Sequence, residues 1–408
     1  MRLAVLSPFV DKQHGTERVL AELLERLASE HAADIDLYSQ RVAGFPVSRP
    51  ESSSPSGGAG RIVWRKVSSI PGPHLIQFLW WYAANRCSRW RSRKVRHVHY
   101  DLLYSPGINA SDADAITVHI VFHEFFHQVH SQLRISKSPV ASWPRILHRI
   151  LYYRLIMALE RRVYADPGVA LSAVSQMVAG QLKRYFGRSD VLVVRNAVES
   201  KVFNPSVRAA RREAARLKFG FGANDFVFLL VGNDWKKKGL DTLLPALAAC
   251  DDLAAHLLVV GNDVREPYLE SCKKLGLGAR VRFVDPSPDV LQFYAAADAY
   301  AGPSLEDAYG LPVLESMACG LPVIVSASAG VSEIIADGEN GLLLRDPRDV
   351  RQLATLLRKI CTAPLLAQAL GAAAERTAAK ESWEEYARQM REHFEQIISK
   401  KKQANRRE

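Results

Sequence analysis

Two carboxylates and a lysine stand where this chain could hold a phosphate-bearing sugar. Asp307 and Glu315 lie in PSLEDAYGLPVLESMACGLPVI, on either side of a Gly310-Leu311-Pro312 turn. Proline inside the first turn and glycine just past the last give a helix clear borders. The segment therefore reads as a loop to Gly310, a helix from about Pro312 and an end at Gly320-Leu321-Pro322. The free N–H groups of such a helix start form an anion site, with Asp307 before it and Glu315 expected within its opening turn. An acid beside a phosphate repels it, so the two carboxylates suit hydroxyls, as on a sugar and a ribose. Upstream, GNDWKKKG (232–239) follows an apolar run and precedes a helical pattern. Lysines at the carboxyl end of a strand can neutralise a diphosphate. Lys238, beside Gly239 where the backbone can come close, takes that role, with Lys236 and Lys237 as neighbours. Alone, the motif would read as a solvated lysine turn; the downstream carboxylates, at matching strand ends, favour the diphosphate.

His119, His123 and His127 recur every four residues in ITVHIVFHEFFHQ, which on a helix would suit a metal. Residues 115–119 read as a strand instead and no fourth ligand is evident, so no metal is assigned. His119 then stands at a strand's end, in a cleft, where it can donate to a sugar hydroxyl or to a forming charge; a core histidine is the plainer reading. Gly15, in HGTER, ends the first strand's loop. Glycine there permits close backbone approach of a phosphate or sugar, and a capping turn would look the same.

These side chains need elements to place them. Residues 2–7 (RLAVLS) form an apolar run, 8–15 a turn, and 17–28 a helical pattern with Val19, Leu20, Leu23, Leu24 and Leu27 on one face. Strand-like runs follow at 34–38, 102–104, 115–119 and 169–173, with a flexible loop, ESSSPSGGAG, at 51–60. A second series occupies 226–231, 256–260, 281–284, 299–301, 322–325 and 341–344. Alternating strands and helices imply α/β architecture, a parallel sheet with helices on both faces. At 408 residues the chain exceeds one hydrophobic core. Two Rossmann-like, doubly wound domains facing across a cleft are expected, 1–195 and 196–380, with 381–408 a helix returning toward the first domain and a basic tail. Ligands of such sheets sit at the carboxyl ends of the strands.

Bulk properties narrow the partners. A chain 48% hydrophobic and 24% charged is an ordinary folded protein. No apolar run of about 18 residues is present, and residues 1–6 are too short for a signal peptide. Five dispersed cysteines without metal spacing read as free thiols in a reducing compartment. A net charge of +11 favours an anionic partner. The stretch 74–96, HLIQFLWWYAANRCSRWRSRKVR, groups Leu75, Phe78, Leu79, Trp80, Trp81 and Tyr82 ahead of Arg86, Arg89, Arg91, Arg93, Lys94 and Arg96, without an acid. Residues 143–164 repeat the mixture. Aromatic rings favour a bilayer interface and arginines its anionic headgroups; a core helix with a solvated basic face is the alternative. Nucleic acid is a weaker account of the same charge and is not expected as a partner, since no stacking platform or helix-turn-helix signature accompanies it.

Together the segments PSLEDAYGLPVLESMACGLPVI, VGNDWKKKGLDTLL, ARVRFVDPSPDVLQFYAAADAY, AVSQMVAGQLKRYFG and VVRNAVESKVFNP resemble the retaining glycosyltransferases of family four, with the GT-B fold. GNDWKKKGLDTLL and ERVLAELLERLA are similar to the glucosyltransferases of the lipopolysaccharide core. The resemblance implies transfer of a hexose from a UDP- or GDP-linked sugar to a glycan or lipid-linked acceptor, in lipopolysaccharide or other surface-polysaccharide synthesis. It implies no further cofactor, no metal, and a cytoplasmic enzyme peripheral on the inner face of the cell membrane. The first domain would bind the acceptor and the second the nucleotide-sugar. Glu315 matches the acid on the donor ribose, Asp307 the acid on the donor sugar, Lys238 the diphosphate lysine, His119 the histidine near the transferred sugar and Gly15 the first-loop glycine. Val284 and Tyr294 match residues around the base, and Gly310, Leu311 and Pro312 the start of the phosphate-facing helix. No Asp-x-Asp metal signature is expected, and metal independence follows from that reading. Three positions depart from the family: Asp307 replaces a longer glutamate, Asn233 stands where many members carry arginine, leaving Lys236 or Lys237 to compensate, and His14-Gly15 replaces a paired glycine. A nucleotide-sugar epimerase of the same architecture and a catalytically silent nucleotide-sugar-binding subunit are the competing readings.

Overall fold

A computed structural model describes residues 1–12, 15–48, 60–129, 143–404 and 406. His14 and most of the serine- and glycine-rich stretch, 51–59, lie outside the described residues. The chain divides into two compact units, Met1–Arg195 with Glu384–Glu408, and Asn196–Trp383.

Each unit is built on one parallel sheet. The first orders its strands as Ile62–Lys66, Asp34–Ser39, Arg2–Leu6, Leu102–Pro106, Ala115–Val118, Ala170–Ala173 and Leu192–Val193. The second runs Val281–Val284, Ala255–Val260, Phe226–Val231, Ala299–Gly302, Val323–Ser326 and Leu342–Leu344. In both, the first strand lies inside, the next two are laid outward on one side and the later ones on the other. That is the doubly wound order, with a switch point between the first and fourth strands where the winding reverses. Strands buried on both faces need unbroken apolar runs, and FVFLLV at 226–231 supplies one, packed with Trp235, Leu243, Leu257, Ile324, Leu353 and Leu370.

The expected strands form within a residue or two of their anticipated ends. Two strands of the first sheet were not anticipated, Ile62–Lys66 and Leu192–Val193. The first ends in Arg65 and Lys66 because it is an edge strand, and Arg65 Nε donates to the buried Asp36 carboxylate at 2.9 Å. The last helix, Trp383–Ala404, carries Phe394 into the first unit, its ring 4.9 Å from that of Tyr104.

Candidate functional site

In the second unit the chain leaves strand Phe226–Val231 and coils tightly, Lys238 N–H donating to Asp234 O at 3.0 Å and Leu240 N–H to Trp235 O at 3.0 Å. Trp235 is fully buried, its backbone N–H held by Asp263 Oδ2 at 2.8 Å. Gly239 has φ +78°, and a Cβ there would lie 1.9 Å from Pro303 O. Only glycine lets this turn lie against the loop leaving strand Ala299–Gly302. Two loops from either side of the switch point are thereby joined: Leu305 N–H donates to Lys237 O at 2.7 Å, and Lys238 Nζ to Asp307 Oδ2 at 2.5 Å. Lys238 is thus not a solvated lysine; it and Asp307 are each less than one-fifth exposed. Lys237 is half-buried, and burial pulls its ammonium pKa down. Lys236 is exposed. Asn233 supplies no charge; its Oδ1 accepts from Asn262 N–H at 2.8 Å and pins the neighbouring loop.

Asp307 is fixed by its own backbone, donating to Ser328 O at 3.2 Å and accepting from Gly330 N–H at 2.8 Å. Gly310 then takes φ +101° and opens the helix Leu311–Ala318. Its start is narrower as an anion site than the sequence suggested. Pro312 has no N–H, Val313 N–H turns back to Gly310 O at 3.0 Å, and only the amides of Gly310 and Leu311 lack an acceptor among the described residues. Glu315 also departs from expectation: because the helix begins at Leu311, Glu315 is its fifth residue and lies in the second turn. Its carboxylate is 5% exposed and accepts from the Tyr294 hydroxyl.

Tyr294 requires a correction. It is fully buried, edge-on to Phe203, with its hydroxyl on Glu315. No ring face is left for a nucleotide base; the residue supports the carboxylate. Burial and the carboxylate push the phenol pKa well up, so it remains a donor. Val284, half-buried at the end of its strand, accepts from Gly261 N–H at 3.1 Å.

The first unit holds the other two expected residues. His119 follows strand Ala115–Val118 directly, is 9% exposed, and burial pulls its pKa down to about 4, leaving a neutral imidazole. It lines a cavity of about 270 Å³ together with Pro8, Phe9, Thr16, Gly107 and Asn109, at the carboxyl ends of strands Arg2–Leu6 and Leu102–Pro106, that sheet's switch point. Gly15 is the exposed first residue of helix Gly15–Ser29 and does not line the cavity; Thr16 beside it does. Thr16 and Asn109 carried no local signal, since only the fold brings them together.

The three histidines are not a set. His119 precedes the helix Phe122–Val129, which carries His123 and His127, and His123 Nδ1 lies 2.7 Å from Glu160 Oε2. Among the described residues no group of three or more potential ligands is placed to hold a metal. The reading that no Asp-x-Asp signature is present requires a correction: two such triplets occur, at 34–36 and 112–114. Asp36 of the first pairs with Arg65 and Tyr100 at 2.9 and 2.7 Å; in the second, Asp112 pairs with Arg89 at 2.8 Å and Asp114 with Lys401 at 2.8 Å. Asp36, Asp112 and Asp114 thus each accept from a protein donor, while Asp34 is exposed.

A family model for glycosyl transferases group 1 matches residues 211–377, the span that holds Lys238, Asp307 and Glu315. The D-inositol 3-phosphate glycosyltransferase of Thermobispora bispora is 32% identical over 322 residues, covering 75% of this chain and 71% of that one. The chain belongs to the group 1 glycosyltransferases. Lipopolysaccharide glucosyltransferase WaaG of Escherichia coli is another relative of this family member, 34% identical over 154 residues; the match spans 37% of this chain and 41% of WaaG, less than half of either. The crystal structure of WaaG, a glycosyltransferase involved in lipopolysaccharide biosynthesis, superposes with a TM-score of 0.74 at 21% identity, over 95% of this chain and 98% of that one. The group 1 chain therefore has the GT-B fold.

Proposed function

We propose that the protein transfers a hexose from a nucleoside diphosphate sugar, with UDP or GDP as leaving group, to a hydroxyl of a glycan or lipid-linked acceptor, retaining the anomeric configuration. The observation that carries this reading is the Lys238–Asp307 pair beside the Gly310 and Leu311 amides, with Glu315 held by Tyr294 a turn further on. As the glycosidic bond breaks, negative charge gathers on the diphosphate. Lys238 and the two amides would meet that charge as preorganised donors, the electrostatic contribution that is usually largest. Asp307 holds the ammonium in place and presents its other oxygen to a sugar hydroxyl; Glu315 would accept from the ribose. These side chains supply the charge stabilisation without a metal ion, and a metal-independent reaction follows from that reading.

Lys238→Ala should lower kcat by about 10²–10³-fold, the usual cost of removing one such donor, with an unchanged circular dichroism spectrum. Release of nucleotide from UDP-glucose and GDP-mannose, with and without crude lipid extract as acceptor, measures it. Acceptor-stimulated release supports transfer; release indifferent to acceptor points to an epimerase, no release at all to a silent binding subunit, and a near-normal rate in the variant removes Lys238 from the chemistry.

The acceptor names attached to relatives, inositol 3-phosphate and lipopolysaccharide, leave two classes of acceptor. A lipid-linked one is favoured by the surface of the first unit. Helix His74–Val95 exposes Ile76, Leu79, Trp80 and Trp90, flanked by exposed Arg86, Arg91, Arg93 and Lys94. Helix Trp143–Tyr164 packs against it through Phe78 and Tyr152 and exposes Trp143, Leu147 and Leu151 with Arg145, Arg149 and Arg154. Apolar rings rimmed by arginines fit an anionic bilayer surface, and such attachment would place the enzyme on the cytoplasmic face of the cell membrane, in surface-glycan synthesis. Arg89 is not part of this face: it is buried and bonded to both Asp112 oxygens at 2.8 and 2.9 Å. Charge reversal at Arg91, Arg93 and Lys94 should lower affinity for vesicles containing phosphatidylglycerol at least tenfold in a flotation assay; wild-type flotation would refute attachment through this face.

A further inference from the structure

The cavity beside His119 bears on which acceptors the enzyme accepts. It lies in the first unit at the switch point of the sheet, where ligands of doubly wound folds bind. Among its described lining residues there is no Asp, Glu, Lys or Arg. This is unusual in a chain with a net charge of +11 and two arginine-rich helices packed nearby. The cavity's polar groups are the Gln40, Gln77 and Asn109 amides, the Thr16, Tyr152 and Tyr164 hydroxyls and the His74 and His119 imidazoles. Part of that set is already used: Gln40 Nε2 donates to Ser68 O at 3.0 Å and Asn109 Nδ2 to Pro106 O at 2.6 Å. The rest of the wall is apolar, with Phe9 and Ile120 half-exposed at 46% and 51%.

We infer that this cavity selects an uncharged, hydroxyl-bearing ring and discriminates against a phosphorylated one. The inference rests on the transferase reading and deepens it by naming the acceptor class. A phosphate monoester brought into such a wall would lose its hydration without gaining a guanidinium or ammonium, the groups that recognise it, and an unpaired buried charge is costly. A sugar ring asks for something else: an apolar wall for its C–H face and groups that both donate and accept for its hydroxyls. The His119 imidazole makes no hydrogen bond with the described residues and is kept neutral by its burial. It therefore offers one N–H and one lone pair, which match a hydroxyl. The volume, about 270 Å³, is just below the ~300–1,000 Å³ of drug-sized pockets. It accommodates one ring rather than an oligosaccharide.

Saturation-transfer NMR of the full chain at pH 8, above the range in which imidazoles carry charge, tests this with two matched pairs of probes: myo-inositol against myo-inositol 1-phosphate, and methyl glucoside against glucose 6-phosphate. The uncharged member of at least one pair should bind tenfold or more tightly than its phosphorylated partner. Gln77→Arg, which puts a guanidinium on the wall, should narrow or reverse that preference. Equal or tighter binding of the phosphorylated members to the wild type overturns the inference, as does binding of no uncharged probe. A parallel UDP titration keeps the two readings apart: UDP binding without the preference leaves the transferase reading standing, whereas absence of UDP binding sinks that reading itself.

Discussion

At the scale of single residues, the positions that carry charge were readable and their partners were not. Lys238, Asp307 and Glu315 were legible together, because a lysine turn that alone would read as solvated gains a use from acids around a glycine-proline helix start at a matching strand end. Nothing in the sequence said that Lys238 and Asp307 would be bonded to each other, because 69 residues and three crossovers separate them. Tyr294 was placed at the base by the family resemblance alone, and only the fold shows the ring buried with its hydroxyl on Glu315. Its actual part predicts a measurable split. Tyr294→Phe removes one donor from a buried carboxylate, a loss of about 1–3 kcal/mol. Donor KM should rise about five- to 150-fold, the equivalent of that loss, while kcat, governed by Lys238, falls less than twofold. Equal losses in both would place the hydroxyl in the reaction itself.

At the scale of elements, the helices were legible as apolar periods, and glycine and proline marked some of their ends, but ends fixed by distant side chains were hidden. Helix Phe122–Val129 is an example. Glu160, from the long helix Trp143–Tyr164, receives the first N–H groups, Phe122 at 2.7 Å and His123 at 3.2 Å, while its other contact is the His123 imidazole. The glutamate is entirely buried, and burial pushes its pKa up to about 8, over the opposing pull of the two amides. The sign follows from linkage. A carboxyl whose folded pKa lies above its unfolded value contributes stability that is intact below about pH 4.5 and lost as pH rises through about 8. His119 acts oppositely: its folded pKa, about 4, lies below the unfolded 6.5, so its contribution is lost as pH falls from about 6.5 to 4. Urea unfolding of the wild type and of Glu160→Gln at pH 5 and pH 8.5 separates them. The wild type should lose about 2–4 kcal/mol more than the variant across that interval. A parallel loss in both would mean that Glu160 is ionised in the native state throughout.

At the scale of the whole molecule, the two units share one winding order, because each needs only an apolar strand, a helix and a return. The duplication was visible as two series of strand-like runs. The edge strand Ile62–Lys66 was not, since its charged end is set by Asp36 on the neighbouring strand. The chain also closes on itself: after completing the second unit it returns a helix, Trp383–Ala404, to the first. Phe394 and Tyr386 are buried there, and Phe394 meets Tyr104, which is itself 2% exposed. Phe394→Ala removes most of a buried aromatic ring, at a cost of about 3–5 kcal/mol. The loss should fall on the unit that owns Tyr104. Hydrogen exchange should speed in strand Leu102–Pro106 and leave strand Phe226–Val231 protected, and UDP should still raise the melting temperature of the second unit, since a ligand stabilises only the fold that binds it. Uniform loss of protection across both strands, with UDP stabilisation abolished, would show instead that the two units unfold as one.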